Sequence, residues 1–163
     1  MLAGYVYGGA MAQAIVRMKY ESRPDLARPL GDLLWRALAP RTGTLRAGAL
    51  VVPVPLHPLR LADRGYNQSA LLAARVARYL GARFAPLALA RGRDTPRQAN
   101  LDRASRLANV AGAFSVRHPD RVRDATVLLI DDVCTTGATL EACSSVLRAG
   151  GAREVVTAVL ARA

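Results

Sequence analysis

Lysine is almost missing from this sequence of 163 residues: Lys19 is the only one, and arginine supplies the other 22 of its 23 basic side chains. Cysteine is scarce as well, with Cys134 and Cys143 alone. Two cysteines build neither a disulfide framework nor a four-cysteine zinc site, so they read as reduced thiols of a cytoplasmic protein. No run reaches the roughly 18 consecutive apolar residues of a membrane-spanning helix. Residues 1–16 carry no charge, and without a basic stretch ahead of the apolar one they do not read as a secretory signal. Export and membrane insertion are therefore not expected. Acidic residues number only 12, which leaves a net charge of +11. What remains is the composition of a globular chain, 52% apolar and 21% charged, at the usual size of one domain. The positive charge points to anionic partners, a phosphorylated small molecule or nucleic acid, because the arginine fork binds phosphate in a bidentate way. Arginine-rich codon usage would give the same excess with no partner at all.

There is no internal repeat and no low-complexity tract. Met11, Ile15 and Met18 recur at helical spacing, which predicts a helix over 10–20. A second helix follows Pro24, with Leu26, Leu30, Leu33, Leu34 and Leu38 on one face and Pro40 at its end. The short apolar run 49–54 suits a buried strand. A helix is predicted over 68–80 and stopped by Gly81, and another strand within 84–89. Residues 91–109 read as an exposed loop running into a short helix. A strand at 126–130, a helix at 138–149 and a strand at 154–160 complete the chain. Continuous apolar strands alternating with helices predict an α/β fold, a parallel central sheet with helices on both faces. The expected organisation is one domain over 1–163, with a helical lead-in at 1–40 and an α/β core at 49–163. In such folds ligands sit beyond the carboxyl ends of the strands.

The sharpest signal lies at one of those ends, in VLLIDDVCTTGATL at 127–140. Apolar residues drive a strand into the core, and Asp131 and Asp132 arrive at its end. Thr135, Thr136, Gly137, Ala138 and Thr139 then turn into a helix. Backbone N–H groups of such a turn and of the helix start form an anion site, and threonine hydroxyls add donors. The carboxylates suit a ribose diol, or a divalent cation. Together they make a cradle for a ribose 5-phosphate. A plain capped helix, with Thr135 or Thr136 as the cap, would use the same residues.

Two further segments are distinctive. PVPLHP at 53–58 is a rigid loop, since its prolines fix φ and remove donors. Arg60 and Arg64 follow it. Residues 91–109 hold Arg91, Arg93, Arg97, Arg103 and Arg106 with Gln98 and Asn109. Such a basic segment closes over a diphosphate as a lid, tracks a nucleic-acid backbone, or is simply solvated. It has little aromatic content, which weakens a stacking platform for single strands. No Ser-His-Asp set and no metal triad competes with these motifs.

The segment 127–140 resembles the phosphoribosyl pyrophosphate signature of type I phosphoribosyltransferases. VPVPLHPLRLADRGYNQSALLA at 52–73, RGRDTPRQANLDRASRLANVAGAF at 91–114 and VLLIDDVCTTGATL in that order resemble the ComF family of competence proteins. Many members of that family begin with a cysteine-rich, zinc-ribbon-like segment, and this sequence is expected to lack it. The resemblance implies a type I phosphoribosyltransferase-like fold that binds phosphoribosyl pyrophosphate with Mg²⁺. It also implies displacement of pyrophosphate from ribose C1 by a nitrogen nucleophile. By the same resemblance Leu56, His57, Pro58, Arg60 and Arg64 contact the pyrophosphate, and Asp131 and Asp132 serve the ribose and the metal. Arg91 and Arg93 join the two aspartates as catalytic candidates, and Arg97, Gln98 and Arg106 form the lid. Two other functions stay open: a non-catalytic sensor of the same ligand, and a DNA-uptake factor that binds single-stranded DNA or a helicase.

Overall fold

The fold was analysed in a computed structural model, which describes residues 1–41, 43, 45, 48–92 and 112–163. Seven strands and six α-helices are described: β1 Leu2–Val6, α1 Gly9–Tyr20, α2 Ala27–Leu38, β2 Leu50–Pro53, α3 Pro58–Arg64, α4 Gln68–Leu80, β3 Arg83–Phe84, β4 Leu89–Arg91, β5 Phe114–Val116, α5 Pro119–Val122, β6 Thr126–Cys134, α6 Ala138–Ala149 and β7 Glu154–Arg162. Five strands form one parallel sheet in the order β1-β7-β6-β2-β3, and β4 and β5 pair antiparallel beside it. Among the described residues no helix is long and apolar enough to cross a membrane.

Both faces of the sheet are covered, which is why the strands read as unbroken apolar runs. Alternate residues of β6 point to opposite sides. Val127 and Leu129 pack with Leu140, Cys143 and Leu147 of α6 and with Phe114 of β5. Leu128 and Ile130 pack with Ile15 and Met18 of α1, Leu34 of α2 and Leu72 and Val76 of α4. On that second face α2 and α4 come very close at Gly31: a Cβ there would lie 2.8 Å from the Cβ of Arg75, whose Nε donates to Asp32 Oδ1 at 2.5 Å. Gly31→Ala should therefore push the two helices apart and lower stability by about 1–3 kcal/mol. Urea denaturation measures this, and an unchanged midpoint would mean that the helix pair has slack.

The helices predicted over 68–80 and 138–149 match α4 and α6 residue for residue. Other expectations need correction. The lead-in is not purely helical: β1 runs parallel to β7 with Leu2 beside Ala158, a pairing no local pattern announces. The strand expected within 84–89 is two short strands, because Pro86 turns the chain and Ala88 N donates to Ala85 O at 3.3 Å. The rigid loop shrinks to 54–57, since Pro53 ends β2 and Pro58 opens α3, a helix the sequence reading missed along with α5 and β5. The sixth strand continues past Ile130 to Cys134 and so includes both aspartates. Gly92 ends the described part of the arginine segment, and Arg93, Arg97, Gln98, Arg103, Arg106 and the short helix expected there lie outside the described residues.

Candidate phosphoribosyl site at the carboxyl ends of strands two and six

The site forms where β2 and β6 end side by side. Val54 N still donates to Ile130 O at 2.9 Å as the chain leaves the sheet. The loop 54–57 is then tied to the start of α4 by Asn67. Its Oδ1 accepts from Ser69 N at 3.0 Å and Ala70 N at 3.3 Å, which caps the helix, while its Nδ2 donates to Val54 O at 3.0 Å. A single side chain thus sets the helix start and the loop position together.

That helix start carries Ser69, fully buried, whose Oγ donates to Asp131 Oδ1 at 2.7 Å. Asp132 N donates to the same oxygen at 2.9 Å. Asp131 and Asp132 are only 8% and 3% exposed. The second carboxylate is matched by Lys19 at the end of α1, with Nζ 2.5 Å from Asp132 Oδ2. The two form a largely buried ion pair, with side chains 19% and 4% exposed. Burial pushes Asp131 up to about 7, the neighbouring Asp132 charge pushes the same way, and Ser69 and Lys19 pull against them.

A cleft of about 210 Å³ opens over this pair, and Lys19, Arg60, Arg64 and Arg91 line it with Asp131 and Asp132. Four cations face two carboxylates, so the cleft favours an anion. Arg64 donates to Gln68 Oε1 and lies 5.5 Å from the Tyr20 ring centre, and Arg91 lies 5.5 Å from that of Phe114. A smaller recess of about 40 Å³ adjoins it and shares Asp131, Val133 and Thr139 with the cleft. Thr135, Thr136, Gly137 and Ala138 complete its wall. Gly137 stands at φ 85°, ψ −4° as the residue before α6, and no side chain caps that helix. Thr136 Oγ1 reaches Ala138 N only at 3.5 Å, the outer limit of a hydrogen bond. The plain capped-helix alternative is therefore poorly served, and Ala138, Thr139 and Leu140 of the first turn line the recess with no capping side chain.

Of the five residues expected at a pyrophosphate, Leu56, Arg60 and Arg64 line the cleft, whereas His57 and Pro58 do not. His57 caps α3, its Nδ1 accepting from Leu59 N at 3.3 Å, and Pro58 is the first residue of that helix. Lys19, Gln68 and Ser69 are site residues that sequence reasoning missed. For Lys19 a signal existed: it is the one lysine in an arginine-rich chain. Cys134 is buried and its thiol is pushed up by burial, so it is no nucleophile. A larger cavity, about 730 Å³ beside Met1, Leu2 and Arg148, borders the 136–138 turn but includes none of the cleft cations or aspartates. Charge and buried carboxylates meet in the smaller cleft instead.

Comparison with known proteins agrees with this geometry. The family model described as "Phosphoribosyl transferase domain" matches residues 67–163. Competence protein F of Haemophilus influenzae is 36% identical over 91% of this chain and 66% of its own length. DNA utilization protein YhgH of Escherichia coli K12 is 32% identical over 96% of this chain and 69% of its own. The chain thus spans about two thirds of the length of these relatives. Among solved structures, the glutamine phosphoribosylpyrophosphate amidotransferase of B. subtilis superposes with a TM-score of 0.58 at 22% identity, covering 89% of this chain and 30% of that one. With a matching family model over more than half its length and a relative named for competence along 91% of it, the chain belongs to the ComF family of phosphoribosyltransferase-like proteins.

Proposed function

We propose that the cleft binds phosphoribosyl pyrophosphate and that the chain transfers its phosphoribosyl group to a nitrogen acceptor. One observation carries the reading: a buried aspartate pair one short step before an uncapped glycine turn, with a cationic cleft above it. Amides of the 136–139 turn would hold the 5-phosphate. Asp131 and Asp132 would accept hydrogen bonds from the ribose hydroxyls, and Arg60, Arg64 and Arg91 would neutralise the diphosphate. In the reaction the C1–O bond to pyrophosphate breaks, a C1–N bond forms and the nitrogen gives up a proton. Positive charge from Arg91, which lines the cleft, would lower the barrier without a protein nucleophile, and the family resemblance gives Arg93 the same role. Arg97, Gln98 and Arg106 serve as a lid in this reading.

Mg²⁺ fits only in company with the donor. Among the described residues no group of three or more His, Cys, Asp or Glu could hold a metal. Mg²⁺ is commonly bound by one or two carboxylates plus substrate phosphates, and Asp131 with the donor's own oxygens could supply that set. When bound it would add charge neutralisation at the pyrophosphate. The two buried free thiols support a reducing, cytoplasmic setting.

Calorimetry with phosphoribosyl pyrophosphate and Mg²⁺ should show saturable binding, weakened about tenfold, or ~1.4 kcal/mol, by Arg60→Gln with Arg64→Gln. No heat at millimolar donor would defeat the proposal. The net charge of +11 and the relatives' names favour a second reading, contact with single-stranded DNA. An oligonucleotide titrated at two salt concentrations tests it, since affinity carried by phosphate contacts falls steeply with salt.

A further inference from the structure

Lys19 is an unusual residue in its setting. Every other cation in the cleft is arginine. Its side chain is 19% exposed, and its backbone is held on both sides. Met18 is buried in the core and its carbonyl accepts from the Tyr66 hydroxyl, while the Tyr20 ring lies under Arg64. The ammonium is therefore delivered to Asp132 by a fixed helix end, outside the region matched by the family model.

Its contact neutralises the charge while engaging one of the two Asp132 oxygens, Oδ2. An ionised carboxylate has several acceptor positions. Asp132 thus keeps acceptor capacity for a sugar hydroxyl while its charge is already balanced. A divalent ion on the same oxygen would sit at about 2.0–2.1 Å if it were Mg²⁺. Lys19 Nζ at 2.5 Å leaves no room for it there, and two cations so close repel.

We propose that Lys19 is a built-in counter-ion that takes the place of a divalent cation at Asp132, so that the cleft binds phosphorylated ribose donors with little dependence on metal. This rests on the donor-site reading above. It differs from that reading in assigning the metal-like role at Asp132 to a residue of the lead-in helix, and in leaving any Mg²⁺ to Asp131 and the donor.

The test compares the full chain with Lys19→Gln and Lys19→Arg, each first shown folded by its melting curve. Mn²⁺ is titrated alone, and phosphoribosyl pyrophosphate is titrated in excess EDTA or saturating Mg²⁺. The parent chain should bind no Mn²⁺ by itself, and its donor affinity should change by at most about threefold between the two buffers. Lys19→Gln should gain Mn²⁺ binding and lose at least about tenfold in donor affinity in EDTA, with recovery in Mg²⁺. Lys19→Arg should keep the parent pattern, because the charge is retained. The proposal is overturned if the parent binds Mn²⁺ as Lys19→Gln does, or if EDTA abolishes donor binding to the parent. Should the parent take no donor in either buffer, the donor-site reading fails, and the Mn²⁺ titrations alone still decide the role of Lys19.

Discussion

Replacing Asp131 with Asn should move binding and stability in opposite directions. At pH 8, where the carboxyl is ionised, donor affinity should fall by about 1–3 kcal/mol, because a charged acceptor for the ribose hydroxyls becomes a neutral one. Stability should rise at alkaline pH. Burial first, and the Asp132 charge second, hold the Asp131 proton on to about 7, against 3.8 for an ordinary carboxyl. Folding therefore takes up a proton between these values, so stability falls as pH rises across that window and stays down above it. Asn carries no such penalty, and its side-chain oxygen still accepts from Ser69 Oγ. The variant should gain about 1–3 kcal/mol over the parent at pH 8, a gap that closes as pH falls toward about 4. Thermal melts across pH measure the gap, and calorimetry measures the affinity. A gap that does not change with pH would show that Asp131 is ionised without cost, and an unchanged affinity would remove it from the ligand.

Gly137→Val should be the most damaging single change at the recess. At φ 85° a β-branched residue is strained, which costs about 1–3 kcal/mol. The cost is conformational, since an added Cβ would meet only Cys134 Sγ, at 3.9 Å. The recess holds only about 40 Å³, however, and Gly137 is part of its wall. Affinity for ribose 5-phosphate should drop at least about tenfold. Gly151→Val separates the two effects: Gly151 also has a positive φ, 95°, but packs against Arg123 away from the site. It should lose stability and keep ligand. Equal loss of ligand in both folded variants would mean that the turn makes no direct contact.

The elements that were legible in the sequence are those whose ends are set locally. Helix α4 begins where Asn67 caps it and stops at Gly81, and α6 stops at Gly150, so short-range chemistry decides both boundaries. The reading of β6 fell short for the opposite reason. Adjacent aspartates read as the start of a loop, yet Ser69 and Lys19, from helices distant in sequence, satisfy them inside the strand. The resemblance of its loop set His57 at the pyrophosphate, and its imidazole instead caps a helix that the neighbouring prolines helped to hide. The cradle itself was readable, since strand, aspartates, glycine and helix follow one another within 14 residues. Its electrostatic balance was not, because the balancing lysine sits in a helix whose spacing reveals only its apolar face.

The place of β1 has a consequence for how the chain comes to be folded. Among the described strands it comes first in the sequence, and its neighbour in the sheet is β7, which comes last. Until residues 154–162 have been synthesised, Leu2–Val6 has no edge to join, and its backbone donors and acceptors wait unpaired. Closing so long a loop is slow, and the exposed segment is open to wrong partners meanwhile. Gly4 fits this delay: a Cβ there would lie 3.0 Å from Leu160 O once the strand is seated, and the bare backbone that this closeness demands offers little for premature collapse to hold. Completion of the sheet thus waits for residues 154–162, and the helix end that delivers Lys19 docks on a sheet whose edge is sealed only by that late pairing.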